Sequence, residues 1–155
     1  LGYLGNPEAT ASALRNGWLH TGDSVRADSD GYLYFVDRRK DMIKRAGENI
    51  ATGEVERVLN EHPAVFEAAA FGIPDPMRDE ALLAAVVLRD GAQASSDELF
   101  EHCRSHLARF KIPDSIIVVP SLPKTAVGKV QKHILRQTIA PRSEADSTVN
   151  VKKAT

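Results

Sequence analysis

Cysteine is almost absent. Cys103 is the only one in 155 residues, so no disulfide can form within the chain, and a reducing compartment, the cytoplasm, is expected. Long apolar runs are absent too. None approaches the roughly 20 residues a membrane-spanning helix needs, so no transmembrane segment is expected. Neither sign of charge is in excess: 20 Lys and Arg against 21 Asp and Glu give a formal net charge of −1, so no basic field draws nucleic acid. There is no Walker loop. Gly128-Lys129 lacks the upstream glycine spacing and the following Ser or Thr. There is no signal-peptide pattern and no initiator methionine; Leu1-Gly2-Tyr3-Leu4-Gly5 reads as the middle of a longer protein.

What is present is ordinary for a globular domain with a real core: 43% hydrophobic and 26% charged residues. Pro7–Arg15 reads as a short helix, and Ser24–Arg26 and Tyr32–Val36 as a hairpin around the turn Asp28-Ser29-Asp30-Gly31. Asp37–Asp41 reads as a charged linker and a domain boundary. Beyond it, Met42–Lys44 is a predicted strand, Ala46–Gly53 a loop and Glu54–Glu61 a helix with Val55, Val58 and Leu59 on one face. Val65–Ile73 and Ala81–Arg89 are predicted strands. Ser95-Ser96-Asp97-Glu98 matches a capping box before a helix with Leu99, Phe100, Cys103 and Leu107 on one stripe. Ser115–Val119 is a predicted strand, Leu122–Lys129 a loop and Val130–Gln137 a last helix. The fold class is α+β, a small mixed sheet packed with helices.

Three glycine-bearing segments carry the candidate chemistry: Trp18–Asp23, Tyr34–Asn49 and Leu122–Lys129. Taken singly, each has a plain alternative. Thr21-Gly22-Asp23 suits a turn, and also a carboxylate that accepts from a ribose diol. Arg38 and its neighbours suit a solvated charge run. Lys129 suits an ordinary loop. A lysine there also suits phosphoryl chemistry, because a compact cation on a long stem can align two anions and neutralise developing charge.

Together, in this order, the three segments resemble the adenylate-forming ligases: acyl-CoA synthetases, luciferases and peptide-synthetase adenylation domains. The likeness runs from Leu1 to about Arg136. Phe35-Val36-Asp37-Arg38-Arg39, Met42-Ile43-Lys44-Arg45, Gly47-Glu48-Asn49, Arg78-Asp79-Glu80-Ala81 and Phe110-Lys111-Ile112-Pro113 are most similar to crotonobetaine/carnitine–CoA ligases. Thr52 departs from the proline that many acyl-CoA synthetases carry there.

The resemblance implies an organisation and a set of roles. Residues 1–39 would close the large N-terminal, nucleotide-binding domain, residues 40–139 would form the mobile C-terminal domain, and 140–155 a flexible tail. Asp23 would hold the ribose of ATP, and Arg38 would contact the nucleotide. Lys129 would serve the adenylation step, and Lys40 the hinge. Lys44, Gly47 and Glu48, with Asn49, would face the thioester-forming step. The substrates would be a carboxylic acid, ATP and CoA; Mg2+, its ligands and the acyl pocket would belong to the missing N-terminal domain. The chain alone is expected to be inactive. Two alternatives stand beside this: a non-catalytic binding module, and an adenylation domain that loads a carrier protein. His102 and His106 lie four apart on a helix, but Cys103 faces the core stripe and no third zinc ligand is evident, so all three read as structural, with no metal expected. His20 reads as near the nucleotide or packed, and Trp18 as core.

Overall fold

The computed structural model describes residues 2–145, which fall into two compact units, Leu1–Lys40 and Asp41–Thr155. In the first unit Asn6 caps helix α1 (Pro7–Ala13), its side chain accepting from Ala9 N–H at 2.9 Å. The helix stops short of Arg15 because Leu14–Arg15 (β1) folds back on Trp18–Leu19 (β2). Asn16 and Gly17 make the turn, at φ of 53° and 79°. Two positive φ values in succession match the twist of a tight hairpin, and Asn-Gly adopts them at low cost. β3 (Asp23–Ala27) and β4 (Leu33–Arg38) form a second antiparallel hairpin.

Two expectations fail in this unit. Asp37 and Arg38 are the end of β4 and not a linker, because the ladder pairs them with Ser24 and Asp23. Trp18 is 75% exposed and not in a core. There is no core for it to enter: Asp37 is the only buried residue among those described up to Lys40.

The second unit begins with β5 (Ile43–Arg45) and β6 (Glu48–Ile50), followed by α2 (Thr52–Glu61). β6 falls where a loop was expected. Its turn places Ala46 at φ 50° and Gly47 at φ 85°; Ala46 is held there by its N–H, which donates to Arg78 O at 3.0 Å. β7 (Val65–Asp75) and β8 (Asp79–Leu88) form the long central hairpin. α3 (Ser96–His106) opens with the predicted capping box, complete in both directions. A 3-10 turn (Arg109–Lys111), β9 (Ser115–Val118) and α4 (Lys132–Ala145) follow. The sheet order is β6-β5-β8-β7, with β9 parallel to β8, so the sheet is mixed as expected.

Ala81–Val86 of β8 is buried throughout, because helices cover both faces of the sheet. On one face Val55, Val58 and Leu59 of α2 and Leu99 and Cys103 of α3 pack against Leu82, Ala84 and Val86. On the other, Leu135 and Ile139 of α4 pack with Leu122 against Phe71 and Leu83. Phe71, Leu59, Leu82 and Leu99 are fully buried, each contributing roughly 1.5–3 kcal/mol of transfer free energy. α4 starts later than Val130 because Val130 still pairs with Lys124 across a β-bridge. It then runs through Pro141 to Ala145, so the expected tail boundary at 140 lies inside a helix. Leu135 and Ile139 anchor that helix before the proline, and extending an existing helix is far easier than starting one. Residues 146–155 of the expected tail lie outside the described residues.

Candidate functional site

In the first unit the structure brings Asp23 and Arg38 together as cross-strand partners at the open end of the β3–β4 ladder. Arg38 Nε lies 3.4 Å from Asp23 Oδ1 as an ion pair. That oxygen is cut off from solvent and takes no hydrogen bond among the described residues. The Asp23 side chain is 30% exposed as a whole, so its acceptor capacity for an incoming hydroxyl lies on the carboxylate's exposed side and not at Oδ1. The backbone before it is shaped by Gly22, at φ 78°, and by Thr21 Oγ1, which accepts from Asp23 N–H at 3.2 Å. A shallow open depression beside Asp23 is lined by Arg15, His20, Thr21, Gly22 and Arg39.

In the second unit Lys44, Gly47, Glu48 and Asn49 sit together on the β5–β6 hairpin, all exposed, with Lys44 opposite Asn49. The hairpin is fixed from below. Glu80 accepts from Lys44 N–H through Oε2 at 2.8 Å. Arg45 donates to the carbonyls of Phe110 and Ile112, at 3.0 and 2.7 Å, and to Asp114. Asp114 Oδ1 also accepts from Arg78 Nη1 at 2.7 Å, while its Oδ2 accepts from Leu82 N–H. Arg78 reaches on to Asp75, and that hydrogen bond holds the Asp75 carboxyl below its usual range. The scattered segments Met42–Arg45, Arg78–Ala81 and Phe110–Pro113 thus meet around one guanidinium–carboxylate cluster.

Lys129 sits on a separate element. Thr125 N–H donates to Lys129 O at 2.8 Å and Gly128 N–H to Thr125 O at 2.9 Å, closing a tight turn in which Gly128 takes φ 81°. Lys129 is exposed, and its ammonium takes no hydrogen bond or ion pair among the described residues. Two neighbouring lysines are paired: Lys124 with Glu67 at 2.6 Å and Lys132 with Glu56 at 2.8 Å. The two elements lie on different sides of the sheet. Ile43 and Ile50 of the hairpin belong to the core under α2 and α3, and Leu122, at the foot of the Lys129 turn, to the core under α4.

Arg45, Asp114, Lys124 and Lys132 were not singled out as site residues from the sequence. One signal was available: Lys132 opens α4, where the positive helix end disfavours a cation, and a lysine there needs a partner. The histidines of α3 are engaged in packing. His102 Nε2 lies 2.8 Å from Val58 O, and its ring meets His62 edge-on at 5.2 Å. Among the described residues no three His, Cys, Asp or Glu side chains are grouped to hold a metal ion. Nor, among them, is any helix long and apolar enough to cross a membrane.

Residues 54–129 match the AMP-binding enzyme C-terminal domain. They belong to that family. The chain is 45% identical over 135 residues to crotonobetaine/carnitine–CoA ligase of Citrobacter koseri, covering 86% of the chain and 26% of the ligase. It spans about a quarter of the length of the curated relatives it matches. Among solved structures it resembles the amide bond synthetase McbA of Marinactinospora thermotolerans, 43% identical with a TM-score of 0.79, over 88% of this chain and 28% of that one. It also resembles ATP-bound MatB of Rhodopseudomonas palustris, 35% identical with a TM-score of 0.80, over 88% and 27%. The expected α+β fold is therefore the fold of C-terminal domains from adenylate-forming ligases.

Proposed function

We propose that this chain is the moving C-terminal part of an ATP-dependent acid–CoA ligase. The observation that carries the reading is the Lys129 turn: an exposed, unpaired ammonium on a closed loop, flanked by two lysines that are each tied down. In the first half-reaction a carboxylate oxygen bonds to the α-phosphorus of ATP and the bond to pyrophosphate breaks. Lys129 touches both anions, aligns them and offsets the charge that gathers on the phosphate oxygens. Asp23, through the exposed part of its carboxylate, accepts from the ribose hydroxyls, and Arg38 steadies that carboxylate from the side of its buried oxygen and meets the nucleotide. In the second half-reaction the CoA thiol displaces AMP from the acyl carbon. Lys44, Gly47 and Glu48 present the hairpin face to that step.

The Lys129 turn and the hairpin rest on opposite cores of one sheet, so a single active site meets them in turn. The domain then rotates between half-reactions, with Lys40 as pivot at the junction of the two units. Magnesium would neutralise the phosphates in the wider protein. The acid is carried by residues outside this chain, and crotonobetaine, carnitine and fatty acids are the first to try. Cytoplasm is the proposed compartment, consistent with the single free, buried Cys103.

The test is Lys129→Ala in the complete protein. Pyrophosphate release from acid and ATP should fall by about 100-fold or more, the scale on which a lost electrostatic stabiliser acts. Conversion of pre-made acyl-adenylate to thioester should persist. Near-normal pyrophosphate release would overturn the reading. The likeness to an amide bond synthetase supports a second acceptor, an amine in place of CoA. Offering acyl-adenylate with either nucleophile separates the two.

A further inference from the structure

Lysines 124, 129 and 132 lie within nine residues of one another, yet the structure uses them in opposite ways. Lys129 is left unpaired. Lys132 is tied down more than once: its ammonium donates to Thr52 Oγ1 at 2.6 Å and pairs with Glu56 Oε1 at 2.8 Å. Its side chain is only 15% exposed. Glu56 is fixed in turn, since the same oxygen accepts from Ala70 N–H of β7 at 2.9 Å. Among the described residues β7 pairs only with β8, so Glu56 satisfies an outer-edge donor of the sheet and Lys132 neutralises Glu56. Lys132 is the first residue of α4, where the helix's own field repels it, so the pairing and not helix stability accounts for a cation at that place.

The tie reaches the turn within two residues. Gln131 N–H donates to Pro123 O at 2.8 Å, and Val130 bridges Lys124. From Lys124 to Lys132 the chain is thus one hydrogen-bonded body, anchored to β7 through Glu67 at one foot and to α2 and β7 through Glu56 at the other.

We propose that Lys132, held by Glu56 and Thr52, is a positioning residue for adenylation: it sets the direction in which Lys129 leaves the domain. This rests on the assignment of Lys129 above. Removing the tie frees one foot of the turn, and displacement of roughly 1 Å at a reacting group is enough to lower a rate about 100-fold.

The experiment uses the complete protein with Lys132→Met, Lys132→Arg and Thr52→Val. Lys132→Met should lower kcat for pyrophosphate release by about 10- to 100-fold while leaving KM for ATP and acid within about twofold. Thioester formation from pre-made acyl-adenylate should be unchanged. Lys132→Arg, which keeps the charge, should recover most of the rate, and Thr52→Val should fall between. Equal losses in both half-reactions, or no recovery with arginine, would overturn the proposal. Amide hydrogen exchange over residues 122–131 is a second readout that needs no activity. Exchange should quicken at least about tenfold in Lys132→Met, as local opening becomes easier. Unchanged exchange would overturn the proposal even where Lys129→Ala has upheld the role of Lys129. If Lys129→Ala adenylates normally, the assignment of Lys129 fails, and exchange still decides whether Lys132 orders the turn.

Discussion

Asp114 Oδ1 lies 2.5 Å from Arg45 Nη2, a contact that joins the exposed hairpin to the loop before β9 across 69 positions of sequence. Both side chains are largely buried, at 23% and 14% exposure, and Asp114 also holds Arg78 and the N–H of Leu82. Asp114→Ala removes a carboxylate shared by two guanidinium groups and one amide, leaving Arg45 to the carbonyls of Phe110 and Ile112 and Arg78 to Asp75. We expect a loss of about 2–4 kcal/mol, the range for breaking a partly buried ionic network. Arg45→Met should cost less, because it removes a cation instead of leaving one unpaired. Urea titration of both variants checks the order; an Asp114→Ala variant as stable as the parent would contradict the network.

His62 gives the second unit a weakness in mild acid. Burial, together with the neighbouring His102, holds its imidazole below its ordinary value, against a smaller opposing pull from Glu98. The unfolded chain therefore takes up the proton first as pH falls. Stability is full above about pH 6.5, the ordinary histidine value, and declines as pH drops from there toward the lowered folded value. His62→Gln should flatten the slope between pH 7 and 5. Thermal melts followed by circular dichroism measure it, and an unaltered slope would place the effect elsewhere. Asp75 and Glu98 are held low by hydrogen bonds from Arg78 and from Ser95 respectively, so their contribution is lost only in the more acidic range below the carboxylate values.

Lys40 is exposed, lies in the turn after β4, and its N–H takes no partner among the described residues. Proline there removes no hydrogen bond. It fixes φ near −65° and drives Arg39 toward extended backbone. Lys40→Pro in the complete protein should therefore impair one half-reaction far more than the other, with thioester formation the expected loss. Separate assays of pyrophosphate release and of thioester formation from acyl-adenylate decide it. Matching losses with an intact circular dichroism spectrum would remove Lys40 as the pivot.

The elements that were legible in the sequence are those with local signals. The α3 capping box, the Val55-Val58-Leu59 face and the two long apolar strands needed no tertiary information. The β1–β2 hairpin was also legible: Asn16-Gly17 is a strong turn signal, obscured by a helical reading carried two residues too far. The β5–β6 hairpin was not. Its strands are three residues long, and Ala46 takes a left-handed conformation only because Arg78, 32 positions away, accepts its N–H. The same limit applies to the site. Lys129 stood out through its motif, and the start of a helix hinted that Lys132 needs a partner; which carboxylates pair with Lys124 and Lys132 was not legible, because only the fold brings Glu67 and Glu56 to those two.

The first unit carries Trp18, Leu33 and Phe35 outside, each more than half exposed, and buries no apolar side chain among its described residues. Two short hairpins with no apolar layer over them are marginal in water. Produced without a covering partner, that segment would be the sticky and protease-sensitive part of any preparation, with Arg38, Arg39 and Lys40 offering trypsin a row of cleavage points. A reagent for crystallisation, NMR or antibody work is better begun at Asp41, where the chain first encloses a core of its own.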